Sequence, residues 1–231
     1  MRRILATLAV VVALLFSAGS AWADFDDGVE AYNRGDYATA FQEFRPLAEQ
    51  GDAKAQFNLG FMYDTGTGMP QDKRKAAKWF RAAAEQNSPL AQYNLASLYA
   101  SGEGVRQDLA QAAELYGSAA EQGFAAAQVK LAKMYGTGKG VAQNLEEAAR
   151  LVQLAAEQGE PTAQYLLGNM YAEGEGIAAD AIKAYAWCGT AAAGCFAPRP
   201  GSSRDRGPSS PSAAPHAPWS GSTFTPPPPP P

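Results

Sequence analysis

The sequence predicts an all-α protein, an α/α solenoid of stacked helical hairpins. Three observations lead to this prediction: the chain repeats itself every 36 residues, each repeat carries two amphipathic helix patterns, and a glycine-containing turn stands at the same place in every repeat. Repeats of this size are typical of solenoids, because a single hairpin cannot bury its apolar face and needs neighbours stacked on it.

The first 23 residues predict a secretory signal peptide. Arg2 and Arg3 precede an apolar run from Ile4 to Phe16, and the segment ends in the small-x-small pattern "AWA" at Ala23. At about 13 residues the apolar run is short for a hydrocarbon core of about 30 Å, which disfavours a retained membrane anchor. We therefore expect cleavage after Ala23, a periplasmic or secreted protein, and no stable membrane insertion after cleavage.

The composition of the mature chain excludes several classes of function. Without Arg2 and Arg3 it has 17 basic against 23 acidic residues, a net charge of −6, whereas a nucleic-acid partner needs a basic face. Two cysteines, Cys188 and Cys195, are too few for a disulfide-stapled scaffold. The one histidine, His216, leaves little for a site built on histidine. We predict no catalytic residues, no metal site and no cofactor.

Residues 24–50 predict a shorter hairpin that precedes the full repeats. Its second helix carries the same apolar spacing as the later ones, with Asp36 as N-cap, and its turn is only "NRGDY". Pro46 lies late in this helix, where it either bends the helix or is absorbed near its end. The hairpin resembles a tetratricopeptide unit.

Four full repeats follow, at 51–86, 87–122, 123–158 and 159–194. In the first helix of each, apolar residues at i, i+4, i+7 and i+8 fall on one face, as in Ala55, Leu59, Met62 and Tyr63. We expect the tyrosine that ends this pattern to be largely buried in its first three copies, Tyr63, Tyr99 and Tyr135.

The second helix repeats the same spacing with more alanine. Its first copy is Ala76, Phe80, Ala83 and Ala84, and small residues on both helices predict close packing. Cys188 occupies the position of Phe80 in the last copy, so we predict a thiol that faces the core. A disulfide to Cys195 stays open as an alternative, because the compartment permits one.

The turns explain a stretch that could be mistaken for a phosphate-binding loop. "YDTGTGMPQD" from Tyr63 to Asp72 has counterparts in all four repeats, and a ligand loop is normally needed only once. The position of Asp72 is an N-cap in every copy, usually a carboxylate, which would repel an anion at the start of the second helix. We interpret these glycines as turn residues.

The repeats resemble Sel-1-like repeats, relatives of the tetratricopeptide repeat. The resemblance covers about residues 28–194 and is carried by units such as "AQFNLGFMYDTGTGMPQDKRKAAKWFRAAAEQ". It implies a right-handed superhelix that serves as an adaptor or scaffold, often exported in bacteria. Cysteine-rich relatives that pair cysteines inside every repeat, some associated with β-lactam or peptidoglycan binding, are not matched.

The first helices supply the candidate binding surface. Glutamines found in every copy, such as Gln56 and Gln92, are better explained by the repeat itself, whereas positions that differ between copies suit recognition of a protein or peptide partner on the curved face. For Phe57, Tyr93 and Tyr165, which share one repeat position, packing against the neighbouring repeat is an equal alternative to partner binding. The candidates are Phe57, Asn58, Phe61, Tyr93, Asn94, Lys130, Lys133, Tyr165 and Asn169.

Two other functions stay open. One is an enzyme that hydrolyses peptidoglycan or β-lactams, for which we find no nucleophile or acid/base constellation. The other is a periplasmic regulatory subunit of a membrane protein.

Residues 195–231 predict a disordered Pro/Ser-rich tail. Residues 196–231 contain 12 of the 16 prolines and few large apolar side chains to offset the entropy of ordering. The tail is either a genuine linker or ligand for a proline-binding partner, or a translated frameshift that replaced a terminal helix. The uncovered end of the fourth repeat favours the frameshift, because solenoids normally cap their ends.

Overall fold

The computed structural model describes residues 24–190. The predicted signal peptide, the predicted tail and Cys195 lie outside these residues. Within them, the chain forms ten α-helices: α1 Phe25–Asn33, α2 Tyr37–Glu49, α3 Ala53–Thr65, α4 Lys73–Glu85, α5 Pro89–Ser101, α6 Leu109–Glu121, α7 Ala125–Thr137, α8 Leu145–Glu157, α9 Pro161–Glu173 and α10 Ala181–Thr190.

The helices stack as consecutive hairpins, and the predicted α/α solenoid is confirmed. Each helix packs on the one before it and the one after it. The first helices of the four repeats are α3, α5, α7 and α9, and the second helices are α4, α6, α8 and α10. The helix α2 runs through Pro46 to its end at Glu49, so this proline is accommodated in the last turn.

The core is built from the two predicted stripes. Ala55, Leu59 and Met62 of α3 are buried, as is Phe80 of α4. Gly60 lies directly under the Phe80 ring, and a Cβ at this glycine would meet the ring at 2.8 Å. The small residue therefore lets the two helices approach as the sequence predicts.

Three tyrosines are less buried than expected. Tyr63, Tyr99 and Tyr135 are half-buried, although their counterpart Tyr171 is buried. Their rings pack against the core, and the guanidinium of Arg81 donates a hydrogen bond of 3.0 Å to the Tyr99 hydroxyl. A phenol hydroxyl needs a polar partner, so each of these side chains lies at the edge of the core.

The N-caps and glycine turns are those that the sequence predicts. Asp72 accepts hydrogen bonds from the backbone N–H groups of residues 74 and 75, and Asp36, Asp108, Asn144 and Asp180 cap their helices in the same way. The first turn glycine, such as Gly102 with φ of 78°, ends the first helix in the left-handed conformation.

The second turn glycine also joins neighbouring repeats. Gly104 has φ of 71°, and a Cβ at this position would overlap the carbonyl carbon of Lys73 at the start of α4 in the preceding repeat. Gly68, Gly140 and Gly176 pack on the preceding second helix in the same way. Only glycine combines this backbone conformation with so close an approach.

One set of glutamines joins neighbouring repeats, and a second set stabilises the turn inside each repeat. The buried Gln92 donates its Nε2 to the carbonyl of Ala84, and its Oε1 accepts from Gln122 at 2.8 Å. In the turn, Gln107 Nε2 donates to the carbonyl of Ala100 at 2.9 Å. The structural role predicted for the first set is confirmed, and the second set is a finding of the structure.

The predicted core-facing position of Cys188 is confirmed in part. The residue is half-buried on α10, and its Sγ faces α9, where a Cβ at Gly168 would meet it at 2.6 Å. The thiol therefore packs between the two helices of the last repeat.

Candidate partner-binding surface

The candidate residues lie on the first helices, opposite or flanking the buried stripe. In α3 the buried stripe includes residues 55, 59 and 62, while positions 57 and 58 are half-buried and position 61 is exposed. The corresponding positions of α5, α7 and α9 complete a row that crosses the four repeats. We call this row the first-helix surface.

Phe57 and Phe61 form its aromatic end. Phe57 is half-buried, and its ring centroid lies 6.3 Å from that of Phe61 and 5.9 Å from that of Phe80 in the core. Phe61 is 36% exposed. Phe57 thus serves as a support held by the core, and Phe61 presents the ring that a partner can contact.

Tyr93 has the same supporting position in the second repeat. Its ring centroid lies 5.5 Å from that of Tyr116 and 5.3 Å from that of Phe124, just before α7. Burial, with a smaller contribution from the Glu160 carboxylate, raises the pKa of Tyr93. Tyr165, its counterpart in the fourth repeat, is 36% exposed. Tyr93 is therefore committed to packing, and Tyr165 is available.

The polar candidates differ in how far their side chains are accessible to a partner. Asn94 donates its Nδ2 to the carbonyl of Leu90 at 2.8 Å, one turn earlier in α5. Asn58 and Asn169 are half-buried, whereas Lys130 and Lys133 are exposed. The third repeat therefore gives the surface a local positive charge.

Sequence reasoning missed two members of the surface. Leu90 is 44% exposed at the start of α5, and an apolar residue outside the buried stripe was the signal that could have found it. Ser97 shares the repeat position of Phe61, and its hydroxyl lies 2.9 Å from that of Tyr116 and donates to the carbonyl of Tyr93. Ser97 therefore provides a polar partner for the hydroxyl of the buried Tyr116.

Between residues 24 and 190 no three His, Cys, Asp or Glu side chains come together in a way that could hold a metal ion. None of the helices described above is long and apolar enough to cross a membrane.

Comparison with known proteins gives four consecutive matches to one family. The model of the Sel1 repeat matches residues 53–88, 89–124, 125–160 and 161–194. A Sel1 repeat protein from Oxalobacter formigenes is 31% identical, with a TM-score of 0.67 over 71% of this chain and 68% of that one.

Two further relatives are much longer than this chain. A protective antigen of uropathogenic Escherichia coli strains, whose crystal structure displays an SLR fold, is 35% identical with a TM-score of 0.69 over 71% of this chain and 36% of its own. The DAP3-binding cell death enhancer 1 of Rattus norvegicus is 43% identical over 49 residues, 21% of this chain and 10% of that protein. The chain thus spans about a third of the first and a tenth of the second.

Proposed function

Because this chain belongs to the Sel1 repeat family, whose members are helical-repeat scaffolds for protein interactions, we propose that it is a non-catalytic exported adaptor. It holds a protein or peptide partner on the first-helix surface. The partner's identity is left open by this proposal, but the chemistry of the surface limits the kind of segment that it accepts.

The proposal rests on a difference in sequence variation between buried and exposed positions of the first helices. The buried stripe keeps its residue types from repeat to repeat, whereas the position of Phe61 is serine, lysine and asparagine in the later copies. Burial in the core does not explain this variation, since Phe61 and Lys133 are exposed. A surface that recognises one particular partner would need such variation.

The first-helix surface is apolar in the first two repeats and basic in the third, so it suits a partner segment whose two ends differ in polarity. Phe61 and Leu90 offer exposed apolar area in the first two repeats, and an aromatic ring on a supported base is the kind of residue that dominates interfaces. Lys130 and Lys133 follow in the third repeat. We therefore propose a segment with a large apolar side chain near one end and a carboxylate toward the other.

The proposal of export rests on the N-terminal sequence. Residues 1–23 have the basic, apolar and small-x-small order of a signal peptide. The Escherichia coli relative is a protective antigen, a property that fits a protein exposed outside the cytoplasm. Export would bring the first-helix surface to partners in the bacterial envelope.

Photocrosslinking in living cells tests this function. A photoreactive amino acid is placed at Phe61, Lys133 or Asn169, which share one repeat position, and at the exposed turn residue Lys139 as control. We expect the same partner protein to be captured from the three surface positions and not from the turn. Capture from Lys139 alone, or of unrelated proteins from each surface position, would contradict the proposal.

A further inference from the structure

A groove lies on the opposite side of the solenoid from the first-helix surface. Its walls are the second helices α6 and α8, its floor is the intervening helix α7, and its volume is about 1000 Å³. Leu131 and Tyr135 lie at the floor, and Leu151 and Leu154 lie in the wall formed by α8. Leu154 is 37% exposed, so the groove offers apolar area to solvent.

Gly117 lines this groove without contributing a side chain to it. Gly117 occupies the repeat position of Arg81, whose guanidinium reaches across the neighbouring groove to the hydroxyl of Tyr99. A Cβ at Gly117 would meet no atom within 4 Å. Tyr135, the counterpart of Tyr99, therefore has no arginine from the preceding repeat above it and lines the groove instead.

The groove is acidic. Glu114, Glu121 and Glu157 line it, and within residues 24–190 none of the three forms an ion pair. The basic side chain among the lining residues is Arg150, and its charge is taken up by Glu147 at 2.6 Å. A basic segment would therefore complement the charge of this groove.

The chain itself carries a matching cationic ridge on the adjacent second helix. In α4, Arg74 and Lys78 are exposed and are spaced at i and i+4, which places them on one face. Neither Arg74 nor Lys78 has an ion-pair partner within the described residues. Lys78 and Glu114 occupy the same repeat position, so the sign of the charge reverses between neighbouring repeats.

We propose that a second copy of this chain docks the ridge of α4 into the acidic groove, forming a two-fold symmetric dimer. The two copies face each other with their second helices, related by a two-fold axis that runs parallel to these helices. The order α4, α6, α8 in one copy then runs opposite to the order in the other, so each α4 faces the groove of the other copy. The facing helices point in the same direction, which brings Lys78 of one copy level with Glu114 of the other. Both contacts are then identical, as a closed two-fold interface requires.

The dimer leaves both first-helix surfaces free. It goes beyond the proposed adaptor function, because two such surfaces held together would bind a partner with paired sites more tightly than one. Its failure is also separable from failure of that function, since the crosslinking positions on the first helices take no part in the dimer contact.

Light scattering after size exclusion, on the full chain expressed from its complete coding sequence, gives the first test. Exposed charge pairs are weak one by one and are screened by salt. We expect a concentration-dependent mass that approaches twice the monomer in about 50 mM salt and returns to the monomer in about 500 mM salt. A protein that stays monomeric at every concentration in low salt overturns the proposal.

Charge reversal gives the sharper test. Lys78→Glu and Glu114→Lys should each be monomeric where the wild type is dimeric, and their equimolar mixture should regain the dimer, because both contacts are then complementary. Gly117→Arg should abolish the dimer by filling the groove, whereas the matched Gly117→Ala should retain it. Thermal unfolding followed by circular dichroism verifies that each variant is folded. A dimer that survives both reversals, or a mixture no larger than its components, overturns the proposal.

Discussion

Gln122 donates a hydrogen bond from its Nε2 to the Oε1 of Gln92, 2.8 Å away. Gln92 is buried, and its own Nε2 donates to the carbonyl of Ala84. One side chain therefore bonds the end of the second helix of its own repeat to the end of the second helix of the repeat before it. Gln56 and Gln128 make the same pair of contacts.

Replacing Gln92 with leucine should destabilise the protein by about 1–3 kcal/mol, because the Ala84 carbonyl and the Gln122 amide lose their buried partner. Denaturant unfolding measures the change. The double variant Gln92→Leu/Gln122→Leu should lose less unfolding free energy than the sum of the two single variants. In the double variant neither glutamine is left without its hydrogen-bond partner. Strictly additive costs would show that this hydrogen bond contributes nothing.

The turn glycines should differ in their tolerance of alanine. Gly123→Ala adds a methyl group in open space at a φ of 83°, and its cost should be the backbone strain of about 1–2 kcal/mol. Gly104→Ala meets similar strain, and its methyl group also overlaps the backbone of Lys73. The unfolding free energy should therefore fall further in Gly104→Ala. Equal losses would argue against the contact between repeats.

The period of 36 residues was enough to predict the fold from the sequence. It aligned the buried stripes, the caps at positions such as Asp72 and the left-handed glycines, because each follows from local helix chemistry repeated in register. The partial exposure of Tyr99 was not predictable from the apolar stripe. The sequence spacing gives the direction in which a side chain leaves the helix, but not whether the far end of a long side chain reaches solvent. The partner of its hydroxyl, Arg81, comes from another repeat.

The candidate surface could be predicted by position but not by accessibility. The variable positions of the first helices fall outside the fully buried stripe, and their role in binding stays a prediction. Tyr93 and Tyr165 share one repeat position, yet Tyr93 packs between the rings of Tyr116 and Phe124 whereas Tyr165 is 36% exposed. Such differences depend on the residues of adjacent repeats.

The helix caps should make stability fall in acid. Accepting the backbone N–H of Lys75 lowers the pKa of Asp72 from its ordinary value of 3.8. A group whose pKa is lower in the folded state stabilises the fold above the unfolded-state pKa and loses this contribution as the pH falls through the folded value. The melting temperature should therefore drop below about pH 4, where the unfolded chain takes up the proton.

Exchanging the cap residues tests this origin of the acid sensitivity. Asp72→Asn keeps an oxygen acceptor, as Asn144 does in the third repeat, and should lose less stability between neutral and acid pH than the wild type. Asn144→Asp should lose more. The account would be wrong if the two reciprocal variants followed the wild-type pH profile of melting temperature.

Export predicts a defined N-terminus. Edman sequencing of the protein recovered from the bacterial envelope should begin at Asp24, after the "AWA" that ends at Ala23. Replacing Ala21 and Ala23 with aspartate removes the small side chains that the peptidase accepts, so the uncleaved chain should accumulate. Recovery of wild-type protein that retains Met1 would contradict the proposed signal peptide.

The most direct test of the proposed adaptor function is the affinity of the crosslinked partner for the first-helix surface, measured by titration calorimetry. The double variant Phe61→Ala/Tyr165→Ala should weaken binding at least about tenfold, because it removes both exposed aromatic anchors. Ile182→Ala, which removes an apolar side chain that is 72% exposed on α10, should bind as the wild type does. Unchanged affinity in the double variant, or a loss only in Ile182→Ala, would contradict recognition by the first helices.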